Sequence, residues 1–540
     1  MAGKIAGAKL AKAAFKEGEG AGIVEFILNS NEKSGNSVNI ATGIISFAYY
    51  ESLLQDCIRA QVSFMDTGNS IDKKTVMEGL PVYGTEKTSI ICEDNNGETI
   101  EVELYVNQPD QISNETTKST VSLNLASKEF FDNEKVRLNI RFDGKIANGK
   151  IPSKEGGSVE KILKKDDKFL ATEKEIFIEA TSNNRNFVGN NWKPFFGINW
   201  LAPQSVPSGQ ENPSAKGNSA GFMFWETSDG FHYKSIDGLM NTETNKPKKK
   251  FIYNETPEGP CSANMPDGYD AKVLEYTVDN RVNVQEKLKM GAYSTRTWTF
   301  NPYDTSVDIL YPNAFLQGTS NVESVSSNEE GNQEYLELAG KKLPYLNPEF
   351  NKDIDFSRTE FRVLDVGSLP EGKGAGENST QIQKSKDQNI EYKNVLNQGI
   401  MRMNQLFACK VIITIPGDFS LHAGDAVYFD APGLREDTKA DDVDRHISGN
   451  YVISSICHYL DGTHTLTKMD LIRDSFGRKP PARTQSRTDM LKNDPGKYWS
   501  NRRKWRGGGA RNKYGQNVKT SKVSGRQMGR SAAKRRSSNK

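Results

Sequence analysis

The sequence is poor in cysteine and in long apolar runs, and each shortage excludes a class of protein. Five cysteines in 540 residues are an odd number without a CxxC pair, which argues against a disulfide framework and a standard zinc site. No stretch approaches the roughly 18 consecutive apolar residues that a membrane helix needs. Residues 1–22 also lack the continuous apolar core of a secretory signal. We therefore expect no membrane association and assembly in a reducing cytoplasm.

Catalytic motifs are missing as well. The sequence contains no Gly-x-Ser-x-Gly elbow, no phosphate-binding loop ending in Gly-Lys-Ser or Gly-Lys-Thr, and no His-Glu-x-x-His helix. Four histidines do lie late in the chain near Cys457, namely His422, His446, His458 and His464. Cys457 and His458 are neighbours on a predicted strand and point to opposite faces, so they are poor joint ligands for one ion. We expect no enzymatic activity, no metal and no cofactor.

The net charge of +2 conceals a division within the chain. Residues 478–540 hold 20 Lys and Arg against only Asp489 and Asp494, a net charge of +18. Residues 1–477 therefore hold 51 basic and 67 acidic side chains, a net charge of −16. Such asymmetry is typical of an interaction tail attached to an acidic body.

The basic tail interleaves its charges with aromatic residues such as Trp499 and Tyr514. The pattern is compatible with nucleic acid binding and with an arm that orders against an acidic protein surface, which we favour. The candidate interaction residues are Arg502, Arg503, Lys504, Trp505, Arg506, Arg511, Lys513, Lys534, Arg535 and Arg536.

Alternating apolar residues predict two β-rich segments. Residues 58–64, 102–106 and 121–125 alternate as half-buried strands and are separated by Gly- and Asn-containing turns. Late in the chain, residues 410–415, 426–430, 451–459 and 465–472 read as strands that follow a long amphipathic helix beginning near residue 385. The ordered part thus begins and ends with a β module.

The middle of the chain is mixed. A helix over residues 158–163 precedes a strand over 175–179, and a helix over 282–290 precedes a strand over 293–300. The aromatic stretches 192–200 and 222–226 indicate a core in which a strand packs against a helix, with an assembly interface as the second interpretation.

The predicted fold class is α+β and β-rich, in several domains. The predicted units are a basic N-terminal arm (1–22), a first β domain (23–146), a mixed α/β region (147–300), a loop-rich connection (301–384), a helix with a second β domain (385–476) and a basic extension (477–540).

Many short stretches, taken in order, resemble the central baseplate hub proteins of T-even-like contractile-tailed phages, most closely those of marine cyanobacterial phages. The stretches are FAYYES (47–52), IRA (58–60), DTG (66–68), LASKE (125–129), RFDGK (141–145), KPF (193–195), WLA (200–202), GNSAG (217–221), WETSDGF (225–231), KSID (234–237), PGD (416–418), HAGD (422–425), SGNY (448–451), His458 and LIRD (471–474). Together they extend over roughly residues 23–476.

The resemblance implies a structural virion protein with two tail-tube-like antiparallel β-barrel domains. It implies a homotrimer that presents a pseudo-sixfold ring to the hexameric tail tube, or to a tube-initiator protein, and a threefold face to the central spike. The ring would surround the DNA ejection channel without binding the genome tightly. The basic extension departs from the family, and we expect it to contact other baseplate proteins. The alternatives are a nucleic-acid-binding virion protein acting through that extension and, less favoured, a tail-associated cell-wall hydrolase.

Overall fold

The computed structural model describes most of the chain before residue 310 and much of residues 399–474. The described residues are 22–32, 36–68, 71, 73–94, 97–115, 118–149, 156–164, 169–208, 220–241, 245–253, 272–279, 284–290, 295–300, 305, 307–310, 322–324, 336–338, 341–342, 358–363, 399, 402–404, 406–407, 409–431, 444, 447–461 and 465–474.

Strands dominate the described residues, which confirms the β-rich class. The strands are β1 (Gly22–Asn29), β2 (Ser37–Asn39), β3 (Ile44–Ser52), β4 (Arg59–Asp66), β5 (Lys87–Glu93), β6 (Thr99–Asn114), β7 (Ser119–Ala126), β8 (Arg141–Phe142), β9 (Glu175–Ile178), β10 (Phe187–Val188), β11 (Phe222–Thr227), β12 (Gly230–Ser235), β13 (Lys249–Tyr253), β14 (Lys272–Val273), β15 (Glu275–Asp279), β16 (Thr295–Phe300), β17 (Val307–Leu310), β18 (Val322–Ser324), β19 (Leu336–Leu338), β20 (Lys341–Lys342), β21 (Arg358–Val363), β22 (Cys409–Pro416), β23 (Ala426–Asp430), β24 (Gly449–Asp461) and β25 (Thr465–Arg473).

The helices are short. They are α1 (Val76–Gly79), α2 (Lys128–Lys135), α3 (Ser158–Lys164), α4 (Pro194–Leu201), α5 (Ile236–Met240) and α6 (Val284–Lys289), with 3₁₀ turns at Ala41–Gly43 and Ala202–Gln204. None of the helices within the described residues has the length and apolarity to cross a membrane.

The first β module is a sheet in the strand order β3-β4-β7-β6-β5-β1-β2. Its strands alternate as the sequence predicts: on β4, Ala60, Val62 and Phe64 are buried, whereas Arg59 and Gln61 are exposed. A strand turns successive side chains to opposite faces, so this alternation gives the sheet one apolar face and one polar face. The apolar face encloses the first core, and helix α1 contributes Val76 to it.

The second β module has strand pairings that run in a closed circuit. Strand β22 pairs with β25, β25 with β24, β24 with β23, and β23 with β13. Strands β14 and β15 are separated only by Leu274, and they pair with β13 and β22 respectively, which completes the circuit. The second core lies inside it, around Val411, Ile413 and Phe429.

The two modules are joined edge to edge through β24. The first residues of β24 pair with β23, whereas Ser455 to Asp461 pair with β3 of the first module. One 14-stranded sheet therefore extends through both modules.

A third unit lies between the modules in sequence and has its own core, formed by α3, α4, β9, β11 and β12. The stretch 222–226 is a fully buried strand, as its composition indicates. The stretch 192–200 is mostly helix α4 rather than strand. Pro194 at its first turn presets the helical φ angle, which explains why the helix begins there.

Most predicted elements that fall on described residues are found. Helices α3 and α6 and strands β9, β16, β22, β23, β24 and β25 begin and end within two residues of the predicted limits. The helix predicted from residue 385 is seen only in part, at 399, 402–404 and 406. The basic arm over 1–21, the polar stretches 318–321, 325–333 and 371–380, and the whole extension from 477 lie outside the described residues.

Candidate functional site

The three units meet at a junction of buried and half-buried charged side chains, which we call the polar junction. It is formed by Glu51, Glu129, Lys174, Glu226, Asp237, Arg402, His422 and Asp474. A buried charge is tolerated only when its hydrogen-bonding capacity is satisfied, so each contact below constrains how the units pack.

Glu51, on β3, links all three units. Its carboxylate is 1% exposed and accepts hydrogen bonds from the Tyr49 hydroxyl at 2.9 Å, from the backbone N–H groups of Ser228 and Ala423 at 3.0 Å each, and from His422 Nδ1 at 3.3 Å. Ser228 belongs to the β11–β12 turn, and Ala423 belongs to the second module. Burial raises the pKa of Glu51, but the hydrogen bond and charge of His422, with the two N–H donors, outweigh it and leave the pKa below its ordinary value.

His422 complements that carboxylate. Burial lowers the pKa of its imidazole, but Glu51, Asp229 and Asp425 outweigh burial, so the net pKa lies above the ordinary value. An imidazolium facing a carboxylate is a charge-assisted hydrogen bond, stronger than a neutral one. The contact therefore fixes the loop before β23 against β3.

Lys174 lies between two buried carboxylates. Its ammonium contacts Glu226, and Glu129 Oε2 lies 2.8 Å away. Glu226 also accepts from the N–H of Ile58 at 3.0 Å, and Glu129 accepts from the Thr172 hydroxyl at 2.6 Å. Burial raises the pKa of Glu226 and the neighbouring Glu129 adds to this, whereas for Glu129 the charge of Lys174 outweighs burial and the pKa is lowered. This triad joins the start of β4 to α2 and β11.

Arg402 ties α5 to the end of β25. Its side chain is fully buried and lies 2.7 Å from Asp237 Oδ1 and 2.6 Å from Asp474 Oδ2. Apolar residues surround the charges: Leu53, Trp225, Ile472 and Leu406 belong to one cluster. The Trp225 indole N–H donates to the carbonyl of Ala423 at 3.0 Å, which adds a link between the third unit and the second module.

A further contact joins the two β modules directly. Asp94, after β5, accepts from the backbone N–H of Phe419 at 2.9 Å. Phe419 belongs to the first core although it follows β22 in sequence. The turn after β22 is thus inserted into the first module.

The late histidines do not form a metal site among the residues the structure describes. No group of three or more His, Cys, Asp or Glu side chains there is arranged to hold an ion. His458 is buried beside Tyr49 and Phe419, and its Nδ1 lies 3.0 Å from the Thr467 hydroxyl. Burial lowers its pKa to about 4. His446 and His464 lie outside the described residues.

The face of the sheet opposite the two cores is polar and runs across the seam; we call it the polar face. The cross-strand pairs Arg59–Tyr50, Tyr50–Cys457 and Cys457–Lys468 lead from one module to the other. Its described acidic residues are Glu25, Glu93, Glu101, Glu103, Asp110, Glu275, Asp279, Asp430, Asp461 and Asp470, against basic Arg59, Lys87, Lys250, Lys410 and Lys468. Ten acidic against five basic side chains give this face a net negative charge.

A cleft of about 430 Å³ opens on the polar face beside Tyr50 and Arg59. Amide side chains such as Gln61, Gln108 and Asn124 line it, and no carboxylate, imidazole or thiol is among its lining residues.

The candidate residues chosen from sequence, Arg502 to Arg536, lie outside the described residues. The polar junction was not predicted, because its members come from segments up to about 420 positions apart. A signal for it did exist. The stretches FAYYES, LASKE, WETSDGF, KSID, HAGD and LIRD, which carry the resemblance, contain every junction residue except Lys174 and Arg402.

No family model matches the sequence, and no curated protein matches it. Solved structures do match. A tail protein from Neisseria meningitidis is 8% identical with a TM-score of 0.42, over 84% of this chain and 97% of that one. A 43 kDa tail protein of prophage MuSo2 from Shewanella oneidensis is 10% identical with a TM-score of 0.41, over 83% of this chain and 98% of that one. A type VI secretion component of Escherichia coli, described as similar in structure to tail proteins of bacteriophage T4, is 9% identical with a TM-score of 0.33, over 81% of this chain and 76% of that one.

Proposed function

We propose that this protein is a structural subunit of a phage tail baseplate, the hub that joins the tail tube to the central spike. The observation that carries the proposal is the convergence of the family-like stretches. Segments that resemble hub proteins, from FAYYES near the start to LIRD near the end, meet in the polar junction and fix three units against one another. A subunit that transmits load between two partners requires such a rigid junction.

The two β modules are the proposed tube-like barrels. The second has a closed circuit of pairings, and the first wraps its sheet around one core. Three chains would supply six modules, which is a pseudo-sixfold ring from a threefold assembly. Such a ring matches a hexameric tube on one side and a trimeric spike on the other.

The polar face is the proposed wall of the DNA channel. Each phosphate neutralised by Lys or Arg adds salt-sensitive affinity, and a channel that passes a genome must avoid such adhesion. The excess of acidic side chains on this face fits that requirement. Three of its five basic residues are also paired on the face, Lys87 with Glu103 at 2.7 Å, Lys410 with Asp470 at 2.8 Å and Lys250 with Asp430 at 3.5 Å.

The first test is the absolute mass of the purified chain by light scattering. We expect about 180 kDa, three times the 60.1 kDa chain. A monomer at micromolar concentration that also stays monomeric when co-expressed with the spike protein would contradict the hub assignment. A monomer that becomes a trimer only with the spike would show that the spike templates the ring.

The basic extension is proposed to dock on other baseplate proteins. Deletion of residues 478–540 separates this role from nucleic acid binding. We expect loss of baseplate assembly with unchanged DNA retention by the purified chain. Intact particles that retain less DNA would favour the nucleic acid alternative.

A further inference from the structure

The cleft on the polar face is built from two adjacent rows of the sheet. In one row Gln108 of β6 lies opposite Asn124 of β7, and Asn124 lies opposite Gln61 of β4; we call these three side chains the amide ladder. In the next row Ala126 lies opposite Arg59. Directly paired residues share a face of the sheet, and the small side chain of Ala126 leaves open space beside the amide ladder and Arg59. The volume of about 430 Å³ is within the range of small-ligand sites, roughly 300–1,000 Å³.

Hydrogen bonds hold the amide ladder in place. The amides of Gln108 and Asn124 donate to the carboxylate of Asp110 at 2.9 Å and 3.3 Å. The amide of Gln61 donates to the hydroxyl of Ser122 at 3.3 Å. Each of these bonds uses an N–H group, and an amide also carries an acceptor oxygen. The amide ladder therefore presents fixed acceptors to a ligand in the cleft.

A β-bulge adds a fourth amide to the cleft. The pairing of β6 with β7 shifts between Val106 and Gln108, so Asn107 is an extra residue without a partner on β7. Its side chain is exposed and lines the cleft. Bulges re-aim side chains and are common beside functional sites.

Arg59 supplies the cleft with a positive charge. Unlike the three ion-paired lysines of the polar face, it contacts no carboxylate among the described residues, although Asp56 is near enough to interact with its charge. Its guanidinium lies over the ring of Phe130, 5.4 Å from the centroid, which fixes its position. Tyr50 lies opposite Arg59 on β3, and its ring is 39% exposed. The cleft thus combines amides, a placed cation and an accessible aromatic ring.

We infer that this cleft binds a nucleotide whose base is unstacked. Amide side chains form paired hydrogen bonds with base edges, above all with adenine, and aromatic rings stack on base faces. A guanidinium binds phosphate, and no carboxylate lines the cleft to repel it. A neutral sugar would use the amides and the ring but would leave Arg59 without a partner. The inference rests on the cleft and goes beyond the hub proposal.

A nucleotide site is compatible with a channel wall that does not hold duplex DNA. A base within a duplex is stacked and paired, and its extraction costs a few kcal/mol. Passing duplex therefore leaves the cleft empty, whereas a free nucleotide or a single-stranded DNA end fills it. These two sources share the same chemistry.

The first experiment titrates deoxyadenosine monophosphate into the purified full-length chain and measures the heat of binding. We expect saturable binding at one site per chain. Arg59→Gln should weaken it about tenfold or more, because the variant loses a charge-assisted hydrogen bond to the phosphate. The matched control is Lys468→Gln, which removes an exposed charge from the same row of the polar face outside the cleft. No binding, or equal losses in the two variants, would overturn the inference.

A second variant tests recognition of the base. Gln61→Leu keeps the charge of the cleft but removes one member of the amide ladder at an exposed position. We expect it to reduce the preference of the chain for deoxyadenosine monophosphate over deoxythymidine monophosphate, with an unchanged thermal midpoint. An unchanged preference would contradict the inference, as would binding of an N-acetylglucosamine oligomer in place of the nucleotide.

DNA hairpins separate the two sources of the nucleotide. A hairpin with a short single-stranded adenine extension is compared with a blunt hairpin of the same duplex, because the basic extension of the chain attracts both. Tighter binding of the extended hairpin that is lost in Arg59→Gln and kept in Lys468→Gln would assign the site to a DNA end. Binding of the mononucleotide without a difference between the hairpins would assign it to a free nucleotide. If neither the mononucleotide nor the extended hairpin binds through Arg59, the inference is wrong and the hub proposal is unaffected.

Discussion

Lys174 is the cation that two buried carboxylates of the polar junction share, so its loss should be costly. Replacing it by methionine keeps the volume but leaves Glu129 and Glu226 buried without their cation. Breaking a buried ion pair in this way typically costs about 3–5 kcal/mol. We expect Lys174→Met to lower the free energy of unfolding by that amount in urea titrations.

The control for Lys174 is an exposed pair. Lys193 and Glu134 are 44% and 54% exposed, and surface pairs contribute at most about 1 kcal/mol. Lys193→Met should therefore have little effect. Equal losses in the two variants would show that the triad does not stabilise the junction as an ion pair.

The titration of His422 should change the stability of the protein with pH in the opposite direction to the titration of His232 and His458. Its folded-state pKa is raised, so its stabilisation is present below about pH 6.5 and is lost as pH rises through the folded pKa. His232 and His458 have pKa values lowered to about 3 and about 4, chiefly by burial. Below about pH 6.5 each therefore costs roughly 1.4 kcal/mol per pH unit, because only the unfolded chain binds the proton.

The variant His422→Gln removes the stabilisation that the raised pKa of His422 supplies at low pH. We expect its urea midpoint to lie below that of the wild type by a nearly constant amount below about pH 6, where His422 is protonated in the folded and in the unfolded chain, and this difference to shrink as pH rises from about 6.5 through the folded pKa. A difference that stays constant across the whole range would contradict the assigned pairing with Glu51.

For individual residues, the sequence predicts which side chains are buried better than it predicts which side chains they contact. The alternation on β4 predicts which side chains are buried, because a strand has a fixed period of two. The partner of Glu51 is not predictable in this way, since His422 lies 371 positions away. The late histidines suggest a metal site because they cluster in sequence. His422 instead pairs with Glu51, a carboxylate near the other end of the chain.

Among the elements, β24 determines how the modules are connected, and its seam with β3 can be tested chemically. Tyr50 and Cys457 are directly opposite across that seam, and the Cα atoms of such antiparallel pairs lie about 4.5–5.5 Å apart, within disulfide range. We expect Tyr50→Cys to form a disulfide with Cys457 on oxidation, detected as faster migration on a non-reducing gel. The double variant Tyr50→Cys/Cys457→Ser should not shift. A failure of the single variant to shift would argue against the seam.

The strands and helices themselves were largely predictable from the sequence, whereas the pairing of each strand with its neighbours in the sheet was not. Strands β22 to β25 follow from alternation and turn residues. The contribution of β13, β14 and β15 to the second module could not be read from sequence, because 129 residues separate β15 from β22 and nothing local specifies that pairing. Helix α4 was predicted only as part of an aromatic core, because Phe196 and Trp200 place aromatic residues on its more exposed side as well and so weaken the apolar–polar contrast that marks a helical period.

For the whole molecule, the proposed role of the polar face as the wall of a DNA channel predicts an effect of its charge on genome ejection. Replacing Glu101 and Glu103 by glutamine and Asp110 by asparagine removes three negative charges without altering the apolar cores, since all three side chains are exposed. We expect phages with this variant hub to assemble normally but to eject DNA more slowly, measured by DNA release from purified particles. The same substitutions at Glu134, Glu173 and Asp143, exposed carboxylates outside the strands of this face, serve as the control.

The pairing of β3 with β24 also has a consequence for folding while the chain is being synthesised. Strand β3 is synthesised about 400 residues before the strand that covers its edge, and at about 5–20 residues per second the ribosome needs roughly 20–80 s to reach β24. During that interval the backbone edge of β3 has no partner in its own chain, and open strand edges recruit other strands. The nascent first module is therefore at greatest risk of aggregation until translation nears its end.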